Sequence, residues 1–132
     1  MPSVLVVDDD VEVGEVIRRV LERGGLDVRV VNSAEAALTA VAESEPEIVI
    51  TDVIMPRQNG VDLIHALRER SPQVRIVAIS GGGSFGPSSY RPDAINTHAY
   101  LAAARAAGAS EVLAKPFDMD ELLNAVRRML PR

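Results

Sequence analysis

The chain has 132 residues, 47% hydrophobic and 25% charged, with a formal net charge of −5 and no cysteine. That is enough for one domain with a proper core, and it excludes disulfides and thiolate metal sites. The acidic balance, the lack of any Lys/Arg block and an aromatic content of 3% argue against nucleic acid as a direct partner.

No apolar stretch approaches the roughly 18 residues of a membrane span, so no membrane partner is expected. Met1-Pro2-Ser3 lacks the basic residues of a signal peptide. A soluble cytoplasmic protein is the default expectation.

Strand and helix patterns alternate five times. The first strand is expected at 3–7 and the first helix at 11–24, with Val13, Val16, Ile17, Val20 and Leu21 on its inner face and Gly24-Gly25 as its stop. Asp10 is expected to cap that helix. The second strand, 27–31, is more polar, as suits an edge. Ser33 is expected to cap a helix over 34–44, with Ala37, Leu38, Val41 and Ala42 inward.

The third strand is expected at 47–51 and the third helix at 60–70, with Val61, Ile64 and Leu67 inward. The fourth strand, 75–79, leads into a long Gly/Ser/Pro-containing stretch and then an Ala-rich helix over 97–107. A fifth strand at 111–114 precedes a helix over 119–130, where Asp118 and Glu121 have capping-box spacing.

This (βα)5 order predicts a doubly wound parallel sheet with helices on both faces. Right-handed crossovers with one chain reversal give the strand order 2-1-3-4-5, with the switch point between the first and third strands. Four strands then deliver chemically useful residues to one edge: Asp8-Asp9-Asp10, Asp52, Ser80 and Lys115-Pro116.

Clustered carboxylates repel by about 1 kcal/mol at 4 Å in water and about 4 kcal/mol at an effective dielectric of 20, so a cation is expected among them. Oxygen ligands with no His or Cys nearby suit Mg²⁺. Metal and Lys115 would neutralise a phosphoryl group, and the Ser80 hydroxyl could hydrogen-bond it. Asp52, alone at its strand end opposite the acidic pair, is the natural nucleophile, giving an acyl phosphate.

Val6-Val7-Asp8-Asp9-Asp10, Asp52-Val53-Ile54-Met55-Pro56 continuing to Asn59-Gly60, Ala78-Ile79-Ser80-Gly81 and Lys115-Pro116-Phe117 together resemble the receiver domain of two-component response regulators, over the whole chain 1–132. The resemblance implies a flavodoxin-like fold. It implies Asp52 as phosphoacceptor, Asp9 as direct Mg²⁺ ligand, Asp8 acting largely through water, and the Ile54 backbone carbonyl as a further ligand. It implies Ser80 as switch hydroxyl and Lys115 as the phosphate-pairing amine. The phosphodonor would be a phosphohistidine on a sensor kinase or phosphotransfer protein. The face made by the fourth helix, fifth strand and fifth helix would take a downstream partner or a second copy in a homodimer. The chemistry would be signalling, limited to self-catalysed phosphotransfer and autodephosphorylation.

Three departures from the family pattern stand out. Val112 occupies the position of the usual switch aromatic. The stretch from Ser80 to Lys115 is longer than usual, which places an extended loop over 82–95. Ile54 puts an apolar side chain two residues after the acceptor, where it is expected to hinder the water that removes the phosphate.

Other readings weigh less. Gly81-Gly82-Gly83-Ser84-Phe85-Gly86 matches G-x-G-x-x-G, but Pro87 follows where a dinucleotide site needs a helix. His65 and His98 are isolated at helical positions. Phe85, Tyr90 and Tyr100 could pack the loop or form a partner surface. A metal-dependent phosphatase would need an acid where Ile54 stands. A purely binding receiver would be signalled by loss of an acidic, acceptor or Lys residue, and none is lost. The chain stops at Pro131-Arg132, which fits a stand-alone receiver or one excised from a longer protein.

Overall fold

The computed structural model describes residues 2–55, 58–80, 94–114 and 118–130, with the backbone alone at 54–55, 58–59, 80, 94–98 and 100. The elements run β1 (Ser3–Val7), α1 (Val11–Arg23), β2 (Asp27–Val31), α2 (Ala34–Glu43), β3 (Ile48–Asp52), β4 (Ile54–Met55), β5 (Gln58–Asn59), α3 (Gly60–Arg70), β6 (Arg75–Ser80), α4 (Ala94–Ala107), β7 (Glu111–Ala114) and α5 (Met119–Met129). The main sheet has the order β2-β1-β3-β6-β7, all parallel, which is the expected 2-1-3-4-5 arrangement. The extended loop expected over 82–95 falls largely outside the described residues, and the fourth helix begins earlier than its sequence pattern suggested.

Two apolar layers follow from the alternation of side chains along each strand. Leu5, Val7, Val49, Ile76 and Ala78 pack with α2, α3 and α4 residues. Val4, Val6, Ile48, Ile50, Val77 and Ile79 pack with Ile17 and Leu21 of α1 and Leu122 and Val126 of α5. The strands are apolar on both faces because helices cover both. β2 sits at the edge and is the least buried of the first three strands.

The helices are finished by different side chains at the two ends of the sheet. At one end, oxygen-bearing side chains cap helix N-termini. Asp10 accepts from the Glu12 and Val13 N–H groups, Ser33 from Ala36, and Asp118 from Glu121 in a complete capping box. At the other end, arginines satisfy the carbonyls that finish helices. Arg29 donates to the Ser44 carbonyl at 2.6 Å, Arg68 to the Gly108 carbonyl at 2.9 Å, and Arg75 to that of Met129. Burial pulls the Arg68 guanidinium below its ordinary pKa. Helix dipoles therefore point their positive ends toward the edge that carries the acidic residues.

The face assignments need correction at some positions. Val16 is 48% exposed, with Val11 at 64%; Gly14 is buried in its stead, against β2, where a side chain would meet Val30. Ala42 is exposed and Leu38 and Val61 are half-buried, while Leu63, Ala125 and Met129 join the core. A heptad-like stripe drawn on sequence is wider than the strip a short helix buries against a twisted sheet. The two-residue strands β4 and β5 form an antiparallel hairpin, Ile54 opposite Asn59, that no periodicity announced.

Candidate functional site: an acidic cluster at the sheet switch point

Register alone brings the first carboxylates together. Val7 of β1 pairs with Thr51 of β3, so the residues that follow, Asp8 and Asp52, lie side by side. Both strands are buried, and their carboxylates are buried with them: Asp8 is 1% and Asp52 0% exposed. Asp9 is half-buried and completes a group whose carboxylate oxygens lie within 4.8 Å of one another.

The surrounding backbone fixes this geometry. The Asp8 N–H continues the sheet to the Val31 carbonyl at 3.1 Å, while its Oδ1 accepts from the Asp10 N–H at 2.8 Å. Asp8 is thereby tied to the cap of α1. Beyond Asp52, the Val53 N–H donates to the Ile79 carbonyl at 2.9 Å, and the Gly60 N–H returns to the Val53 carbonyl at 3.3 Å. The β4–β5 hairpin is thus pinned across the end of β3, with the Ile54 backbone next to the acidic group in sequence.

Gly60, expected as the first residue of the third helix, has a spatial role. A Cβ there would strike the Asp52 carbonyl oxygen and come within 2.5 Å of Val53 Cα. The first turn of α3 therefore packs backbone to backbone on the end of β3. Asn59-Gly60 was the available signal, but spacing alone does not distinguish a flexible turn from a close approach.

Ser80 ends β6 opposite Ala114, the last residue of β7. This puts its backbone one step beyond Ile79, which pairs with Asp52. Lys115, Pro116 and Phe117 lie outside the described residues, as do Gly81–Gly86, Phe85 and Tyr90. The side chains of Ser80, Ile54, His98 and Tyr100 do too. Val112 is half-buried on β7, paired with Ala78 and packed on the α4 side of the sheet. His65 is exposed on α3.

Oxygen-only donors fit Mg²⁺, which takes one or two carboxylates and keeps several waters. Three clustered carboxylates, two of them buried, suit that ion. Among the described residues, no helix is long and apolar enough to cross a membrane.

The same architecture recurs in known proteins. Residues 4–127 match the response regulator receiver domain family. Over 128 residues the chain is 36% identical to the DNA-binding transcriptional regulator NtrC of Azospirillum brasilense, covering 97% of this chain and 24% of that protein. It is 33% identical over 129 residues to the response regulator MprA of Mycobacterium leprae, covering 98% of this chain and 51% of that one. The crystal structure of the receiver domain of NtrX from Brucella abortus superposes with a TM-score of 0.79 at 29% identity, covering 96% of this chain and 97% of that one. The chain belongs to the response regulator receiver family of two-component systems. It spans about a quarter of the length of the NtrC relatives and about half that of the MprA relatives.

Proposed function

We propose that the chain, over 1–132, acts as a phosphoacceptor receiver, with Asp52 taking a phosphoryl group from a phosphohistidine on a sensor kinase or phosphotransfer protein. The observation that carries this reading is the convergence of Asp8, Asp9 and Asp52 at the ends of β1 and β3. Asp9 and Asp52, with the Ile54 carbonyl, would hold Mg²⁺, and Asp8 would act largely through water. When bound, the ion would neutralise charge on the phosphoryl oxygens as the group is transferred.

An Asp52 carboxylate oxygen attacks phosphorus as the P–N bond breaks. The electron pair leaves with the imidazole, which takes a proton. Lys115 balances phosphoryl charge and Ser80 hydrogen-bonds an oxygen once the acyl phosphate forms. In hydrolysis water attacks phosphorus, the P–O bond to Asp52 breaks, the carboxylate is regenerated, and inorganic phosphate leaves with the water oxygen while a proton passes to solvent. The activity is confined to this self-modification, and the output is binding of a downstream protein through α4, β7 and α5. The cytoplasm, where a kinase would meet it, is the proposed compartment. Incubation with acetyl phosphate and Mg²⁺ should add one phosphate by intact mass, absent in Asp52→Asn. No adduct with either that donor or a cognate kinase would refute the reading.

Two further results are expected. Ile54 stands two residues after the acceptor, where an apolar side chain hinders the attacking water. Ile54→Asn should therefore shorten the lifetime of the phosphorylated form by about tenfold, read by loss of the mass adduct with time. An unchanged or longer lifetime would contradict this.

Val11 is exposed at the start of α1, directly after the acidic run, and Val16 is exposed further along the same helix. Both would offer the donor protein apolar contacts on the helix that follows the carboxylates. Val16→Glu should slow transfer from a phosphohistidine protein by about tenfold or more. Modification by acetyl phosphate should stay unchanged. Equal slowing with both donors would place the effect in the site itself.

A further inference from the structure

Thr51 is fully buried, one residue before Asp52, yet no step above uses its hydroxyl. Strand alternation puts it on the same face as Val49 and Val53, among apolar side chains. Valine would fill that space with the same shape. A hydroxyl in such a place is costly unless it is hydrogen-bonded. Its bond is specific: Thr51 Oγ1 donates to the backbone carbonyl of Asp52 at 3.1 Å.

That carbonyl belongs to the Asp52–Val53 peptide plane, which is held in two other places. The Val53 N–H donates to the Ile79 carbonyl at 2.9 Å. The α carbon of Gly60 packs against the Asp52 carbonyl so closely that no Cβ fits. Rotation of this plane would turn the Asp52 side chain on one side and carry the Val53-Ile54 backbone on the other. Both the acceptor oxygen and the proposed backbone ligand hang from it.

We infer that Thr51 is a positioning residue, whose buried hydroxyl locks the peptide plane that aims the Asp52 carboxylate. The inference rests on Asp52 being the acceptor. A displacement well under 1 Å suffices for an effect, because in-line transfer needs close alignment of the reacting atoms.

The test uses the full chain with two substitutions. Thr51→Val keeps the shape and removes the hydroxyl; Thr51→Ser keeps the hydroxyl and removes the methyl. With acetyl phosphate and saturating Mg²⁺, Thr51→Val should lower the maximal phosphorylation rate by about tenfold, and Thr51→Ser should stay within about twofold of the parent. Independently of phosphorylation, the Val53 amide should exchange with deuterium faster in Thr51→Val and at the parental rate in Thr51→Ser. A role in packing alone would give the opposite ranking, with serine the worse variant, and would overturn the inference. So would Thr51→Val matching the parent in both readouts. If the parent chain itself takes no phosphate, the acceptor reading fails and the inference falls with it. In that case, normal Val53 exchange in Thr51→Val would further show that the hydroxyl does not hold the plane.

Discussion

Gly60→Ala is expected to be the most damaging Gly→Ala change among the described residues. The added carbon would strike the Asp52 carbonyl oxygen and meet the Val53 Cα and carbonyl carbon at 2.5 and 3.1 Å. Neither neighbour is the mobile end of a side chain, so relief must come from moving β3 or the start of α3. Overpacking of this kind costs typically 1–3 kcal/mol and sometimes more. The upper part of that range applies, because β3 is the central strand and is buried throughout. A fall in Tm of about 10 °C is expected, together with a slower phosphorylation rate, since the strand that shifts is the one that carries Asp52, the proposed acceptor. Gly25→Ala makes the control. Gly25 has a φ of 90° with open space around it, so alanine there carries only backbone strain, of about 1–2 kcal/mol, far from the site. Its Tm should fall less and its phosphorylation rate should be unaffected. If the two variants lost stability equally and Gly60→Ala was phosphorylated normally, the close approach of α3 to β3 would be wrong.

Asp8→Asn should separate folding from metal binding. The substitution preserves the Oδ1 acceptor that holds the Asp10 N–H, so the cap of α1 survives. What it removes is one charge from a group of three whose oxygens lie within 4.8 Å. At that range each pairwise repulsion is worth about 1–4 kcal/mol, depending on the effective dielectric. The metal-free variant should therefore be more stable than the parent, with Tm higher by about 3–6 °C. Mg²⁺ should raise the parent's Tm, because an ion that binds only the folded state stabilises it by mass action. In Asp8→Asn that rise should be largely lost. A lower metal-free Tm with an intact Mg²⁺ response would mean that Asp8 is neither strained by its neighbours nor concerned with the ion.

Much of the fold could be read from local pattern. The five strands of the main sheet carry short apolar runs, and the caps at Asp10, Ser33 and Asp118 depend only on residue type and near spacing. The strand order follows from crossover handedness. What could not be read is set by distant contacts. Val16 fits the helical stripe of α1 as well as Ile17 does, and only the tilt of α1 on the sheet decides that one is exposed and the other buried. The β4–β5 hairpin has two residues per strand, too few to show alternation.

The acidic group was legible because strand ends in a parallel sheet share an edge, which places Asp8, Asp9 and Asp52 together from the sequence alone. Thr51 and Gly60 were not legible. One looks like an ordinary strand residue and the other like an ordinary turn, and their closeness to the Asp52 carbonyl appears only in three dimensions.

The central claim is that the Asp52 carboxylate forms an acyl phosphate. The most direct measurement is to treat the phosphorylated chain with borohydride, which reduces an acyl phosphate to the alcohol, and to map the product by peptide sequencing. The account requires homoserine at position 52 and at no other carboxylate. Homoserine at 8 or 9, or an adduct that resists borohydride and maps to a serine or threonine, would contradict it.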